Sequence, residues 1–432
     1  MSPPAQRGNA IPGDQRSPAR DRLICRVPDP AALWRNRDYR LLWSGQVVAT
    51  LGSTASSVVI PLLILALTGS PEAAGIAGAL RALPYLVFSL PVGALIDRWD
   101  RKTVMIRADI GRAIAVATIP AAMAFDVLSL MQIYAVALIE GSLWVFFNIA
   151  EVAALPRVVT PAQLPQAAAW NEAGFGVANI VGPSFGTVLY QAFGRSVPFI
   201  ANAVTFAVSV VSLMRIEAQF HIVREAAPAR NLRAEMAEGL RWLWGNRLIR
   251  FMAFLTGGMN LIFAATPLII IVLAKQMGAG DAAIGVIFSA AGVGGIVGSL
   301  AGGRIQRRFT FGQVIIAVLL LDALFFPLYV VVPSYGLLAA VASVSFFLGP
   351  IYNVVQFSYR LSIIPDRLQG RVNSVFRLLA FGFMPIGAAL SGVLLEHLGS
   401  TATVAIFSLW MLALAVATIV NPHVRNAGAA KT

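Results

Sequence analysis

Stretches of about 20 apolar residues recur along this chain of 432 residues, and twelve of them can be counted. That length lets a helix cross about 30 Å of hydrocarbon. A backbone in lipid has no water to satisfy its polar groups, so such runs fold as helices. Hydrophobic residues reach 58% and charged residues only 12%, too apolar for a chain that must cover itself with a wet surface. The sequence therefore predicts an all-α integral membrane protein with twelve transmembrane helices.

The first six runs fall at roughly 41–67, 73–96, 103–125, 130–153, 167–193 and 196–214. The last six fall at roughly 249–273, 282–303, 312–332, 335–357, 372–395 and 401–420. Residues 1–33 are polar, with several Pro and Arg and no apolar core after the early charges. They read as a disordered cytoplasmic tail and not a signal peptide. Residues 215–248 form a linker in which Leu232, Met236, Leu240 and Leu243 recur at helical spacing, the pattern of an amphipathic helix on a membrane surface. Residues 422–432 form a second cytoplasmic tail.

The net charge of +13 invites a nucleic-acid reading, but its placement argues against one. Only Arg195 and Lys275 fall in loops expected outside, and Arg81 lies within a span. The remaining bases lie in inner loops, tails or inner span ends, which is the positive-inside bias. Trp34, Trp43, Trp99, Trp170, Trp242 and Trp244 sit near the same ends, as an interfacial aromatic belt predicts. Both termini are thereby placed in the cytoplasm, and anionic lipid headgroups become the partners of the excess charge.

The chain repeats itself. Leu33-Trp34-Arg-Asn36-Arg37-Asp-Tyr-Arg40 returns before the seventh run as Leu243-Trp244-Gly-Asn246-Arg247-Leu-Ile-Arg250. Asp97-Arg98-Trp-Asp-Arg101-Lys102 returns as Gly303-Arg304-Ile-Gln-Arg307-Arg308, with the bases kept and the acid lost. The repeat divides the chain into two pseudo-symmetric halves of six spans each, residues 34–214 and 249–421.

Charges within spans cost at least ~2.5–3.5 kcal/mol on insertion scales and need a partner or a purpose. At 1.5 Å per residue, Arg81 lies about 12 Å and Glu140 about 15 Å from the outer ends of their spans. The near match predicts a buried ion pair. It is either a permanent structural pair or one in which Glu140 exchanges a proton while Arg81 tunes it. Asp322 lies near the midplane of span nine and is a second candidate for proton coupling. Glu140, Asn148 and Glu151 share a helix face with Trp144 and Phe147 beside it, a stripe suited to an amphipathic substrate. Glu151, nearer the inner surface, is expected to cap or to pair with Arg157. Asp109 is expected in a structural cluster with Arg107 and Arg112. The hydroxyls of span one, with Gln46, suit either close packing or a wet cavity. Gly182-Pro183-x-x-Gly186 removes a backbone donor and permits close helix approach.

The hairpin between spans two and three also carries a resemblance. Gly93, Asp97, Arg98, Arg101 and Lys102 match Gly-x-x-x-Asp-Arg-x-x-Arg-Lys of the major facilitator superfamily, at the same place in the chain. The resemblance implies a conformational latch, with Asp97 docked at the positive inner end of helix 11 near Gly370-Arg371 and Arg98 and Arg101 completing the network. It also implies that helices 1, 4, 7 and 10 line the cavity, making Gln46, Trp144 and Asn148 candidate liners, while helices 3, 6, 9 and 12 support them. Gly182, Pro183 and Gly186 resemble the helix-5 motif of the superfamily's antiporters, with Ala178 and Thr187 replacing two of its glycines. Span four has Glu140-Gly141 where such antiporters carry an Arg, a role for which Arg112 is a substitute. Phe146-Phe147-Asn148-x-x-Glu151-x-x-x-Leu155-Pro156, Pro365-Asp366-x-x-x-Gly370-Arg371-Val-Asn373 and Pro385-x-Gly387 resemble the branch of macrolide-efflux proteins and the enterobactin exporter.

The expectation is a monomeric exporter of amphipathic small molecules driven by protons. A proton-coupled importer is the near alternative, and a non-transporting receptor a distant one. Cofactors and enzymatic activity are not expected. The sequence holds no Gly-x-x-x-x-Gly-Lys-Ser/Thr loop, a single cysteine, Cys25, and three scattered histidines, His221, His397 and His423, so no metal site is expected either.

Overall fold

Short polar residues ahead of the apolar runs start the helices. Asn36, Asp100, Ser129, Asn246, Thr310 and Ser334 each accept, through a side-chain oxygen, the backbone N–H three residues on. Each thereby satisfies an orphan donor of a first turn. The computed structural model describes residues 30–96, 99–218, 220, 232–365 and 368–428, and the regular elements among them are all helices. A short α1 (Pro30–Arg35) leads into α2 (Arg37–Thr68), α3 (Pro71–Ile96), α4 (Arg101–Ala124), α5 (Leu130–Val158), α6 (Leu164–Phe193) and α7 (Val197–Met214). After α8 (Leu232–Gly245) come α9 (Arg247–Gln276), α10 (Asp281–Arg308), α11 (Phe311–Phe325), α12 (Leu328–Val331) and α13 (Tyr335–Ile363). The chain closes with α14 (Gln369–Gly382), α15 (Met384–Val420) and α16 (Pro422–Arg425).

Eight helical stretches among the described residues are long and apolar enough to cross a membrane. This is fewer than the twelve apolar runs, for physical reasons. Gln369–Val420 counts once at 52 residues, yet a helix of that length would reach about 78 Å. Gly399, at φ 76°, interrupts it. α4 carries Arg107, Asp109 and Arg112, α3 carries Arg81, and α6 is diluted by Gly, Asn and Ser.

The helices pack in two sets. α2 lies against α6 and α7, α5 against α3 and α4, and α4 against α7. In the second set α10 packs on α13, α9 on α15, and α11 on both α13 and α15. The sets meet through α3 with α15 and α6 with α10. The basic end of the molecule holds Arg101, Lys102, Arg307, Arg308 and Arg371. At the opposite end the two sets touch almost backbone to backbone. A Cβ on Gly75 would stand 2.7 Å from the Ala388 carbonyl oxygen and the Gly392 Cα, and one on Gly285 would stand 2.9 Å from the Ser184 Cα. Ser184 and Ser289 share a hydrogen bond of 2.8 Å across this contact.

Toward the basic end the same helix faces come apart. The α15 face that buries Ala388 and Gly392 continues on α14 as exposed Ser374 and Arg377. On α6, Thr187 packs against Gly285 while Ala169 and Ala173 are exposed. A cleft between the sets therefore opens toward the basic end, lined by these exposed positions of α14 and α6.

α8 is the helix that the linker spacing predicts. Leu243 is buried and Leu240 exposed, and Glu238 pairs with Arg371 at the start of α14. The linker helix is thus fastened to the second set.

Candidate transport site

The first set encloses a chain of charges. Arg81 Nε on α3 donates to Glu140 Oε2 on α5 at 2.7 Å. Arg112 Nη2 on α4 donates to Glu140 Oε1 at 2.9 Å and to Ser53 Oγ on α2 at 3.0 Å. Arg112 Nη1 donates to Asp109 Oδ1 at 3.3 Å. Two acids and two bases balance, as burial demands. The Arg112 guanidinium also lies 4.1 Å from the Phe206 ring centroid, a cation–π contact strengthened by desolvation. Close approach of α3 and α5 makes the cluster possible, because a Cβ on Gly141 would come within 2.1 Å of the Arg81 carbonyl oxygen. A cavity of about 10 Å³ beside Arg81 and Glu140, reaching Ser56 and Asn202, has room for about one water.

Asp109 and Arg112 are 0% and 3% exposed, whereas Arg107 is exposed on another face of α4 and belongs to no cluster with them. Arg112 is the member whose contact with Glu140 the sequence reading missed. Counting residues holds the signal, since Arg112 lies about 18 Å from the far end of α4, near Glu140's depth. Glu151 is buried beside Gln46 and within electrostatic reach of Asp109 and Glu172, while Arg157 is exposed. Gln46 is buried on α2 beside Glu151. Trp144 is exposed and Asn148 half-buried, one turn apart on one face of α5. Asp322 is buried on α11 near Tyr329, with no ion pair among the described residues.

Of the span-one hydroxyls, Ser53 joins the charge cluster, Ser56 lines the small cavity and Thr54 serves packing. Thr54 Oγ1 donates to the Ala178 carbonyl at 2.9 Å, and a Cβ on Gly182 would stand 1.9 Å from that oxygen. Gly186 would likewise strike the Ala55 backbone. Gly182, Pro183 and Gly186 thus seat α6 on α2, and Thr187 Oγ1 donates to the Pro183 carbonyl at 2.9 Å.

At the hairpin, Asp97 and Arg98 lie outside the described residues, as do Asp366 and His221. Asp100 caps α4. Arg101 Nη1 donates to the Ala153 carbonyl at 2.9 Å, and Lys102 Nζ to the Ile216 carbonyl at 2.6 Å. These bonds place cations at carbonyls near helix C-termini, where they are favoured, and tie α4 to α5 and α7. A Cβ on Gly93 would meet nothing within 4 Å.

Two packed helix sets, with a balanced charge cluster enclosed in the first, are the frame of a multi-pass membrane protein. Residues 42–384 match the model of the Major Facilitator Superfamily, and the chain belongs to that family. It is accordingly a multi-pass secondary transporter of small molecules, not an enzyme. It is 27% identical over 403 residues to the multidrug efflux pump Tap of Mycolicibacterium fortuitum, covering 89% of this chain and 96% of that one. It is 26% identical over 376 residues to macrolide efflux protein A of Streptococcus pyogenes, covering 85% and 91%. Its fold matches the crystal structure of a bacterial homologue of the iron transporter ferroportin in an inward-facing state. The TM-score there is 0.72 at 14% identity, covering 89% of this chain and 98% of that one.

Proposed function

We propose that the protein exports amphipathic small molecules, of drug, antibiotic or siderophore type, by exchange for protons across the cytoplasmic membrane. The reading has twelve crossings in two six-helix bundles. It divides Gln369–Val420 at Gly399 and adds α3, α4 and α6 to the other apolar stretches. The bundles span 34–214 and 249–421, the linker 215–248 and the tails 1–33 and 422–432, with the basic end and both termini in the cytoplasm. The cleft then faces inward, and the protein works as a monomer with substrate, protons and lipid as its partners.

The observation that carries this reading is Glu140 held between Arg81 and Arg112 inside the first helix set. Two guanidiniums satisfy the carboxylate on both oxygens, the arrangement an antiporter needs once it has delivered its proton to the cytoplasm. When the bundles rock, the Arg81 side chain, 30% exposed, withdraws and Glu140 takes a proton from outside. One proton entering down 100 mV supplies ~2.3 kcal/mol, or roughly fifty-fold accumulation at ~1.4 kcal/mol per tenfold. Asp322 is a second proton carrier, Trp144 and Asn148 meet substrate, and Gly93, Asp97, Arg98, Arg101 and Lys102 latch the outward-facing state. The similarity to efflux proteins supports export over import.

Inside-out vesicles acidified in the lumen test the reading. Adding macrolides, tetracyclines, dyes or siderophores one by one is expected to release lumenal protons for at least one compound. Substrate that instead moves out of the vesicles together with protons would establish import.

A further inference from the structure

Directly below the ion pair lies an aromatic layer that the charge cluster does not use. Arg81 and Tyr85 are four residues apart on α3, and Glu140 and Trp144 four apart on α5, so each pair shares a helix face. The Arg81–Glu140 rung is therefore followed, one turn toward the basic end, by a Tyr85–Trp144 rung with ring centroids 6.1 Å apart. Phe381 of α14 meets Tyr85 edge-on at 5.3 Å, closing the layer from the other helix set. One turn further on α14 stands Arg377, its guanidinium 6.0 Å from the Tyr85 centroid and 5.9 Å from that of Phe381.

Arg377 is exposed and forms no ion pair with a carboxylate among the described residues. It lies about 9 Å along the helix from Arg371, the residue that Glu238 pairs with at the basic end. Its face of α14 is the one that buries Ala388 and Gly392 further along, while Ile386 and Val393 mark the opposite, outward face. The guanidinium therefore points into the cleft and not toward lipid. An uncompensated cation at this depth is costly without a partner, and a cleft open to water admits one.

We propose that Arg377, Tyr85, Trp144 and Phe381 form the substrate subsite, and that it selects aromatic molecules carrying an anionic group. The carboxylate, sulfonate or phenolate of the ligand is held by the Arg377 fork, and its ring stacks against Trp144 and Tyr85 in the offset or edge-on geometries such rings prefer. An anion seated there has the Tyr85–Trp144 rung between it and the Arg81–Glu140 pair. The assignment rests on the export reading for its direction, but binding does not.

The test is equilibrium binding to the full chain in lipid nanodiscs, read by fluorescence anisotropy. The probes are 5-carboxyfluorescein as an anionic aromatic and ethidium as a cationic one. Carboxyfluorescein is expected to bind, and ethidium about tenfold or more weakly. Arg377→Gln should weaken carboxyfluorescein about tenfold, as loss of a charge-assisted hydrogen bond does. Arg377→Lys should restore part of the loss, and Trp144→Ala should weaken binding where Trp144→Phe does not. Equal affinity for the two probes would overturn the proposal. So would no carboxyfluorescein binding by monodisperse protein, or an Arg377→Gln variant that binds unchanged. Arg377-dependent binding without proton-driven uptake into inside-out vesicles would sink the export reading and leave the subsite standing. Proton-driven ethidium uptake indifferent to Arg377 would do the reverse.

Discussion

The two helix sets share their caps and differ in their charge. Asn36 and Asn246, Asp100 and Thr310, and Ser129 and Ser334 cap corresponding helices. Counted from those caps, Glu140 corresponds to Ser345, Glu151 to Gln356, Gln46 to Thr256 and Arg112 to Asp322. Counted from the first residues of α3 and α10, Arg81 corresponds to Ala291. The close approach of α3 and α5 at Gly141 has its counterpart where a Cβ on Gly294 of α10 would stand 2.1 Å from the Ser343 carbonyl oxygen. Where the first set buries four linked charges, the second makes a neutral hydrogen bond between Thr256 and Tyr352 at 2.7 Å. Backbone starts and helix contacts are therefore kept while side-chain chemistry diverges. The first set holds the linked charges, while the second buries Asp322 and Arg360 with no ion pair among the described residues.

The largest effect expected to break this comparison comes from Glu140→Gln. Removing one partner of a buried ion cluster costs about 3–5 kcal/mol, because the charges left behind are uncompensated. Thermal unfolding in detergent should show the loss, and substrate-triggered proton release should disappear. Full proton-driven transport by this variant would leave the cluster a purely structural brace.

Next come Gly141→Leu and Gly294→Leu, which force a side chain into a helix backbone in each set. Overpacking of this kind costs about 1–3 kcal/mol, and similar losses of melting temperature in both would show that packing is the shared property. A loss in one set alone would refute that equivalence.

Asp322→Asn sharpens the contrast by its sign. An ionised carboxyl buried without an ion pair is a burden, so this variant should melt at the same temperature as the parent or above it, opposite to Glu140→Gln. The smallest effect is expected at the half-exposed Lys275–Asp281 pair, where Asp281→Asn should change stability by at most about 1 kcal/mol.

Much of this was legible in the sequence because lipid leaves few choices. Apolar run length sets the helices, and rise per residue sets depth, which is how Arg81 and Glu140 came to be compared before any contact was known. Rotation about the helix axis is harder to read. Arg112 was expected beside Arg107 near a span end, yet the two face different ways, and only packing against Phe206 and Ser53 turns Arg112 toward Glu140. Gln46 shows the same difficulty, since a polar residue in a cavity-lining helix can as readily face its neighbours as the cavity. The aromatic layer was half visible, in Trp144 alone. Its other members come from α3 and α14, which the sequence reading had not brought together.

The glycine seam between α3 and α15 has a consequence for speed. Interlocked side chains must leave their rotamer wells before two surfaces can part, and each such step adds to the barrier. Gly75 and Gly392 offer each other nothing to interlock, so at this seam the surfaces can lift away like two smooth plates. A seam of that kind lets the two helices meet and part without any side chain changing rotamer.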